Sequence, residues 1–345
     1  MPTCLQMGSR MPEVSLTPPQ QMIRLLVGFI PARAIYTAAK LDLADQMDAA
    51  GSTAEELAQR LGVDAPALER VLRTLSSVGV LHEENGGRFT LTEIGKTLRT
   101  DSSVSIRDYA LFVHEFLSEL FGGLVGSVRS GKPAVEAVFG APLYTYLQDN
   151  PDKASLFHSG LSNRGRIEAR AILDAYSFAN CKLIVDLGGG NGGFLSAILS
   201  EHPNLSGVLV ERASAIEAAR EGRGGPLPRC ELIEGDFFQS LPPGGDVYVL
   251  KRVLVDYTDQ KALQILRNCL GAMRPDNRLL IIEPLSGAIN EPSLARLMDL
   301  TYLLAGTGRV RSQEEHSSLL QRAGLRLQKC LPTHSDVSVL EAVSA

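Results

Sequence analysis

The chain has 345 residues, of which 44% are hydrophobic, and its formal net charge at pH 7 is −5. This length leaves room for two globular domains, and the slightly acidic balance gives no reason to expect nucleic acid or an anionic membrane surface as a partner. No apolar run reaches membrane-spanning length, no signal-peptide pattern is present, and neither the five cysteines nor the six histidines are spaced as metal ligands. We therefore expect a cytoplasmic protein with reduced thiols and no bound metal.

The first part of the chain predicts a leader followed by helices. Residues 1–18 are rich in Pro, Ser, Gly and Met, which predicts a disordered leader with Met11 as a candidate alternative start. Residues 20–47 carry an apolar face that includes Leu26 and Ile30. This face predicts helices that bury against another surface.

The next segment has the order helix, helix and two-stranded wing. A capping box at residues 52–55 predicts a helix that ends at Gly62, and an apolar stripe predicts a second helix from Ala65 to Val78. Wing strands are expected at 80–83 and 88–91, on either side of a glycine-rich turn. This order predicts a winged-helix module within residues 19–100.

Two functions suit such a module. DNA binding is one, but the second helix carries only Arg70 and Arg73, whose charge nearby acidic residues balance. The other function, which we favour, is a dimerisation domain that also covers a substrate pocket.

The strongest motif lies farther along, where an apolar strand enters a glycine turn and then a helix. Gly188, Gly190 and Gly192 allow a ligand to approach the backbone closely, and a turn this tight is expected to need positive φ. Their spacing departs from the dinucleotide pattern G-x-G-x-x-G and fits better the shorter turn that binds S-adenosylmethionine.

Acidic and aromatic residues follow the next two predicted strands. Glu211 ends the second strand, where its carboxylate can accept hydrogen bonds from both ribose hydroxyls. Asp236 and Phe237 follow the third strand and suit the amino group and the face of an adenine. These positions predict one cofactor site at the ends of the strands.

Two further strands, at 246–251 and 278–284, complete a set of five that alternate with helical stretches. This alternation predicts an α/β fold with a Rossmann-like, doubly wound sheet over residues 176–345. Residues 337–342 are expected to form a closing strand at the sheet edge. The stretch 101–175 is predicted to be a helical linker that forms the substrate wall.

With these motifs in order, the chain from about residue 20 resembles the S-adenosylmethionine-dependent small-molecule O-methyltransferases of plant and bacterial secondary metabolism. The resemblance includes the winged-helix module, the glycine turn and the stretches 142–147, 157–162, 235–238 and 250–254. It implies a homodimer that binds S-adenosylmethionine and a small-molecule substrate. The residues that it assigns to the cofactor are Gly188, Gly190, Glu211, Asp236, Phe237, Lys251 and Tyr257, the last standing where the family usually has tryptophan.

The chain departs from this family at the catalytic base. The family histidine that takes the substrate's proton is replaced by Val255, and a family carboxylate that orients this histidine is replaced by Val310. Glu283 is the member of the group that remains. A buried carboxylate without its histidine is costly, so we expect the two losses to belong together.

Three interpretations of the valines stay open. Methyl transfer to a hydroxyl of an aromatic or polyketide-like metabolite can proceed by proximity and orientation, which contribute about 7–11 kcal/mol, more than general base catalysis does. The cofactor can instead be retained while the pocket performs decarboxylation, hydroxylation or cyclisation. The chain can also be a non-catalytic partner.

Other residues are candidates for handling the proton or binding the substrate. Asp256 is either a weak base or a helix N-cap, and Glu283 shapes the remaining polarity of the pocket. Arg309 and Arg311 hold either a substrate oxygen or the local loop. Two histidines, His202 and His316, are expected to be solvated. The residues predicted to contact substrate are His114, Phe157, Leu161, Val255, Met298 and Tyr302, with His158 as a weaker candidate.

Overall fold

A computed structural model describes residues 16–345 and divides into two compact units after Thr100. Residues 1–15 of the leader predicted at 1–18, with Met11, lie outside the described residues, and Pro18 already begins the first helix. The first unit contains helices and a three-stranded sheet of order β1-β3-β2. Its elements are α1 Pro18–Leu26, α2 Phe29–Lys40, α3 Leu43–Gln46, β1 Ser52–Thr53, α4 Ala54–Leu61, α5 Ala65–Ser77, β2 Leu81–Glu84, β3 Arg88–Leu91 and α6 Glu93–Lys96.

The predicted capping box of α4 is displaced by one residue. Thr53, not Ser52, is the N-cap, and its hydroxyl accepts from the Glu56 N–H while Glu56 accepts from the Thr53 N–H. The Ser52 hydroxyl instead accepts from the Asp48 N–H. The helix ends at Gly62 as predicted.

Helix α1 buries none of its residues within the single chain. Leu25 and Leu26 are 75% and 67% exposed, and the apolar surface continues through Phe29 and Ile30. Contrary to the sequence expectation, Pro18–Lys40 is by length and composition alone apolar enough to cross a membrane. The helices predicted to bury against another surface thus leave a large apolar face open within this chain.

The second unit begins with helices and continues into the sheet. The helical part contains α7 Arg107–Phe112, a π-helical turn Val113–Leu117, α8 Ser118–Phe121, α9 Leu124–Ser130, α10 Val135–Phe139, α11 Leu143–Asp149 and α12 Pro151–Ala175. The remaining elements are β4 Leu183–Leu187, α13 Gly193–Glu201, β5 Ser206–Glu211, α14 Ala213–Arg220, β6 Cys230–Glu234, β7 Val247–Lys251, a 3₁₀ turn Leu254–Asp256, α15 Asp259–Ala272, β8 Arg278–Glu283, α16 Leu294–Ala305, α17 Gln313–Ala323, β9 Leu325–Pro332 and β10 Ser338–Ser344.

The large sheet has the order β6-β5-β4-β7-β8-β10-β9. Its first five strands are parallel, and β10 pairs antiparallel with both β8 and β9. One face packs against α15 and α17, the other against α12, α13 and α14. The doubly wound prediction is confirmed, and the strand order reverses beside β4, where such sheets open a crevice at their carboxyl ends.

The prediction of a closing strand at the sheet edge was wrong in its position. β10 lies inside the sheet, and β9, which the sequence analysis did not identify, forms the edge. The reason is compositional, because β9 exposes Arg326, Gln328 and Lys329 and so lacks the continuous apolar run of the inner strands.

Candidate functional site

The glycine turn after β4 has the backbone that its sequence predicts. Gly188, Gly190 and Gly192 have φ of +72°, +60° and +79°, in the region that favours glycine. A Cβ on Gly189 would lie 2.3 Å from the carboxylate of Asp186, so the backbone has no room there for a side chain. Asn191 ties the turn to α12 by donating to the Ser162 hydroxyl at 3.2 Å.

Asp186 is a residue that the sequence analysis missed. It is the acidic position of the otherwise apolar strand β4, and its carboxylate has no hydrogen-bond partner among the described residues. Burial raises the pKa of Asp186 to about 7. An aspartate inside a buried apolar run directly before the glycine turn was the signal that could have identified it.

Three of the predicted cofactor residues line one recess at the ends of β5 and β6. Glu211, Asp236 and Phe237 surround a volume of about 270 Å³. The Asp236 carboxylate accepts from the Phe238 N–H at 2.9 Å, and burial raises the pKa of Glu211. The structure thus brings together the acidic and aromatic groups that suit a ribose and an adenine.

Tyr257 belongs to the same neighbourhood. Its ring centroid lies 5.9 Å from that of Phe237 and 5.1 Å from that of Phe238, in edge-to-face contact. Gly188 adjoins this group, because a Cβ on it would lie 3.2 Å from Phe237. An aromatic surface therefore connects the glycine turn with the segment after β7.

Lys251 does not line the recess. Its ammonium lies 2.7 Å from Glu168 Oε2, within a cluster of ion pairs that also contains Arg164, Arg252 and Asp336. Burial alone would raise the pKa of Glu168, but the charges of Lys251 and Arg252 overcome it and hold that pKa at about 2. The Lys251 side chain is therefore engaged in the protein's own charge network.

The two valines occupy one small hydrophobic cluster. Val255 is 0% exposed and Val310 is 6% exposed, and they pack with Ala295 against Tyr302. Their shared location supports the expectation that the two losses belong together. Packing leaves the Val255 side chain without exposed surface, and its contact with substrate stays a prediction.

Two carboxylates still lie beside this cluster, but each accepts a hydrogen bond from a backbone N–H. Glu283 Oε1 accepts from the Val255 N–H at 2.9 Å, and Asp299 Oδ1 accepts from the Val310 N–H at 2.5 Å. Glu283 is 0% exposed and supports the turn from behind, and its contribution to the polarity of the pocket stays a prediction.

His316 is the largest departure from the sequence expectation. It is fully buried instead of solvated, and its Nε2 lies 3.5 Å from Glu283 Oε2. Burial raises the pKa of Glu283 to about 7, and burial together with the charge of Arg311 lowers the pKa of His316 to about 4. A histidine thus remains beside Glu283, but it approaches from α17 and not from the segment after β7. His202, also expected to be solvated, is half-buried with its ring 6.2 Å from that of Phe178.

Arg311 holds the local loop, which decides one of the open alternatives. It is 0% exposed and donates to the carbonyl oxygens of Leu254 and Tyr257, each at 2.7 Å, and to Asp259. A Cβ on Gly308 would lie 1.9 Å from the Val255 carbonyl oxygen, so the two backbones touch. The 3₁₀ turn is therefore fixed from behind. Arg309 also contacts protein, since it pairs with Glu315 and Asp259.

Asp256 ends this turn and is not a helix N-cap, because Thr258 holds that position for α15. Its side chain reaches solvent. Nearby protein nevertheless desolvates the carboxyl and raises the pKa of Asp256 to about 6, against the charge of Arg252. Asp256 is thus an ionisable group that the fixed turn carries.

The predicted substrate residues fall in different surroundings. Phe157 packs in an aromatic cluster, with ring centroids 5.5 Å from Phe112 and 5.4 Å from Phe116, and His158 contacts its edge. Leu304 of α16 joins the same cluster, so α16 packs directly on this helical wall. Leu161 is 42% exposed.

The remaining three substrate candidates are half-buried. His114 lies on the π-helical turn, with Nδ1 3.5 Å from the Ser118 hydroxyl. Met298 and Tyr302 lie one turn apart on α16. Of these, Tyr302 lies beside the valine cluster.

Comparisons with known proteins match most of the chain. Residues 121–326 match the O-methyltransferase domain, and residues 23–101 match the O-methyltransferase dimerisation domain. Phenazine O-methyltransferase PhzM of Lysobacter antibioticus is 35% identical, with 93% of this chain and 95% of that protein covered. The 3-amino-4-hydroxybenzoate 4-O-methyltransferase of Streptomyces cremeus is 36% identical, with 89% and 85% covered.

Two further comparisons bear on the chemistry. Aclacinomycin 10-hydroxylase RdmB of Streptomyces purpurascens is 34% identical, with 93% of this chain and 89% of that protein covered. The solved structure of CalO1, a methyltransferase of calicheamicin biosynthesis in its S-adenosylhomocysteine-bound form, has a TM-score of 0.87 at 32% identity. It covers 96% of this chain and 100% of that chain.

Proposed function

The chain belongs to the O-methyltransferase family, and from that premise we propose that it methylates a hydroxyl of an aromatic or polyketide-like secondary metabolite with S-adenosylmethionine. The observation that carries this proposal is the recess formed by Glu211, Asp236 and Phe237 beside the glycine turn. These groups supply carboxylates for ribose hydroxyls and an adenine amino group, and an aromatic face for the adenine ring.

The chain's own residues have different roles in this reaction. Gly188 and Gly190 leave the backbone open to the cofactor, and Tyr257 extends the aromatic surface. When bound, S-adenosylmethionine supplies an electrophilic methyl group and retains the electron pair of the broken C–S bond. The protein's contribution is to hold the acceptor oxygen in line with the C–S bond that breaks. Proximity and orientation of this kind lower the activation barrier by about 7–11 kcal/mol.

Asp256 accepts the hydroxyl proton in this proposal. A carboxylate whose pKa is about 6 is ionised at neutral pH and still basic enough to take a proton from an acidic phenol. Glu283 and Arg311 act through the backbone, since they fix the turn that carries Asp256. We therefore assign Asp256 the catalytic role and Glu283 a positioning role.

We also propose that two copies of this chain associate through the exposed apolar face of α1 and α2. A monomer that leaves Leu25, Leu26, Phe29 and Ile30 in water would expose a contiguous apolar patch of the kind that marks an interface. The dimerisation-domain match at 23–101 covers these residues and supports a homodimer over insertion of this segment into a membrane. We expect this homodimer in the cytoplasm.

The test uses purified protein with S-adenosylmethionine and phenolic extracts of its host, followed by mass spectrometry. A product heavier by one methyl, with an equal amount of S-adenosylhomocysteine, is the expected result. Conversion of a substrate without consumption of the cofactor would instead support the hydroxylation, decarboxylation or cyclisation alternative, which the resemblance to a 10-hydroxylase keeps as second candidate.

Asp256→Asn tests the proton acceptor in the same assay. We expect kcat to fall by about 10²-fold, because general base catalysis contributes roughly 10²–10⁴-fold, while the affinity for S-adenosylhomocysteine stays the same. In the wild type kcat/KM should rise with pH through about 6, as Asp256 ionises, and this limb should vanish in the variant. Glu217→Gln, an exposed change on α14, is the matched control. An unchanged kcat in Asp256→Asn would remove Asp256 from the mechanism.

A further inference from the structure

Tyr302 lies at the wall where the resemblance expects a histidine and its carboxylate. It is a half-buried residue of α16, and its ring packs on the cluster of Val255, Val310 and Ala295. A phenol side chain thus packs against the positions from which the family's polar groups are missing.

The hydroxyl of Tyr302 has a proton to donate. Arg252 Nη1 donates to the Tyr302 oxygen at 3.0 Å, and a guanidinium offers only donors, so the tyrosine's own proton must point elsewhere. Among the residues that the structure describes, no protein atom accepts this proton. Burial raises the pKa of Tyr302 to about 12, so the phenol remains protonated at neutral pH.

Arg252 connects the Tyr302 hydroxyl to a cluster of ion pairs. Arg252 also binds Glu168 and Asp336, and the same cluster contains Arg164 and Lys251. The ion-paired groups are three cations and two carboxylates, and the nearby Asp256 carboxylate brings the two signs into balance. The direct contact with Arg252 is therefore what polarises the Tyr302 hydroxyl, and a polarised hydroxyl donates best to an oxygen of high electron density, as in a carboxylate or a carbonyl.

Asp256 faces the same region from the neighbouring turn. It follows Val255 directly, and Tyr302 packs against Val255. The charge of Asp256 accordingly contributes to the raised pKa of Tyr302. The site thus presents an acceptor of a proton on one side and a donor backed by Arg252 on the other.

We propose that Tyr302 and Asp256 bind two neighbouring oxygens of one acceptor, so that the substrates are aromatic hydroxyls adjacent to a carboxylate or carbonyl. This inference rests on the proposed function and specifies its substrate class. The hydroxyl to be methylated gives its proton to Asp256, and the adjacent oxygen accepts from the Tyr302 hydroxyl. Such a neighbour also orients the reacting hydroxyl through its own contact with Tyr302, which suits a pocket without histidine.

The test compares two isomers that differ only in this adjacency. 3-Hydroxy-2-naphthoate carries its hydroxyl beside the carboxylate, and 6-hydroxy-2-naphthoate carries it on the far ring. Binding is measured by fluorescence with S-adenosylhomocysteine present, in wild type, Tyr302→Phe and the control Tyr109→Phe. The control removes a phenol oxygen from α7, where the Tyr109 ring packs beside Phe112.

We expect the wild type to bind the adjacent isomer about tenfold more tightly than the remote one. Tyr302→Phe should weaken the adjacent isomer alone by about tenfold, because hydrogen bonds to charged groups are the stronger ones. Tyr109→Phe should preserve the preference, and an unchanged affinity of Tyr302→Phe for S-adenosylhomocysteine reports an intact fold.

Several results would overturn the inference. These are absence of binding by both isomers, equal affinity for them in the wild type, or a Tyr302→Phe change that affects both isomers equally or neither. Because binding needs no turnover, the outcome is separate from that of the methyl-transfer assay. The wild type can prefer the adjacent isomer, and Tyr302→Phe can lose this preference, while the methyl-transfer assay yields no methylated product. That combination would retain the inference and refute the proposed function.

Discussion

The site has a cofactor end, at Glu211 and Asp236, and an acceptor end, at the two valines with Glu283 and Asp299. The two ends differ in how their polar groups are placed. At the cofactor end Glu211 and Asp236 line an open recess, as their positions after β5 and β6 predict. At the acceptor end Glu283 and Asp299 are turned onto the backbone of two buried valines. In the proposed mechanism, binding of the methyl donor and removal of the acceptor's proton are therefore separable requirements, and the second can change while the first is kept.

The largest effect should come from the cofactor end. Glu211→Ala or Asp236→Ala should weaken binding of S-adenosylhomocysteine by at least about 10²-fold, because each change removes a charged partner of the ligand's hydroxyl or amino groups. Isothermal titration calorimetry measures this loss, and Glu217→Ala on the exposed face of α14 provides the control. Unchanged affinity in both variants would place the cofactor outside this recess and remove the contrast between the two ends.

Restoring the family's histidine at position 255 should have a smaller effect than the loss of a cofactor contact. It should lower the stability of the protein and leave the rate of methyl transfer no higher. Val255→His places a polar ring in a dry cluster, where overpacking and an unsatisfied nitrogen together cost about 2–5 kcal/mol of unfolding free energy. Glu283 cannot orient the new imidazole easily, because its oxygens already face the Val255 N–H and His316. We expect lower thermal stability and no gain in kcat.

Val255→Leu separates size from polarity in this experiment. It should lose stability by overpacking alone, and so less than Val255→His does. A several-fold rise of kcat in Val255→His would show that proton removal limits the wild-type rate and that the acceptor end needs only its histidine to match the family.

The same two ends explain which parts of the site the sequence could predict. Glu211, Asp236 and the glycines follow strands that read as continuous apolar runs, so their register at the sheet edge follows from the strands. The parallel strands were predictable for the same reason. β9 was not, because an exposed edge strand with Arg326 and Lys329 has no such run.

His316 shows where such reasoning stops. α17 carries acidic residues in its first turn, and a histidine beside them suggests a solvated face. Its burial against Glu283 depends on how α17 packs on the sheet, a contact between positions 33 residues apart that no local pattern specifies. The error on Ser52 is of the other kind, a one-residue choice between two adjacent hydroxyl side chains that only the backbone decides.

The smallest expected effect tests whether the buried pair at the acceptor end carries charge. Glu283 has a pKa of about 7 when folded, above its ordinary 4.5, so its contribution to stability is present below about 4.5 and is lost as pH rises through about 7. The pKa of His316 lies below its ordinary value, so its contribution is present above about 6.5 and is lost as pH falls through about 4.

Glu283→Gln removes the pH dependence of stability that comes from Glu283 and keeps a carbonyl oxygen for the Val255 N–H. Relative to wild type, the variant should therefore be more stable at pH 8.5 than at pH 5, by on the order of 2 kcal/mol, as measured by denaturant unfolding at the two pH values. Glu217→Gln, which changes an exposed carboxylate, should show almost no such dependence. The same difference for both variants would mean that Glu283 stays ionised or solvated across this range, and that the acceptor end is more polar than its packing indicates.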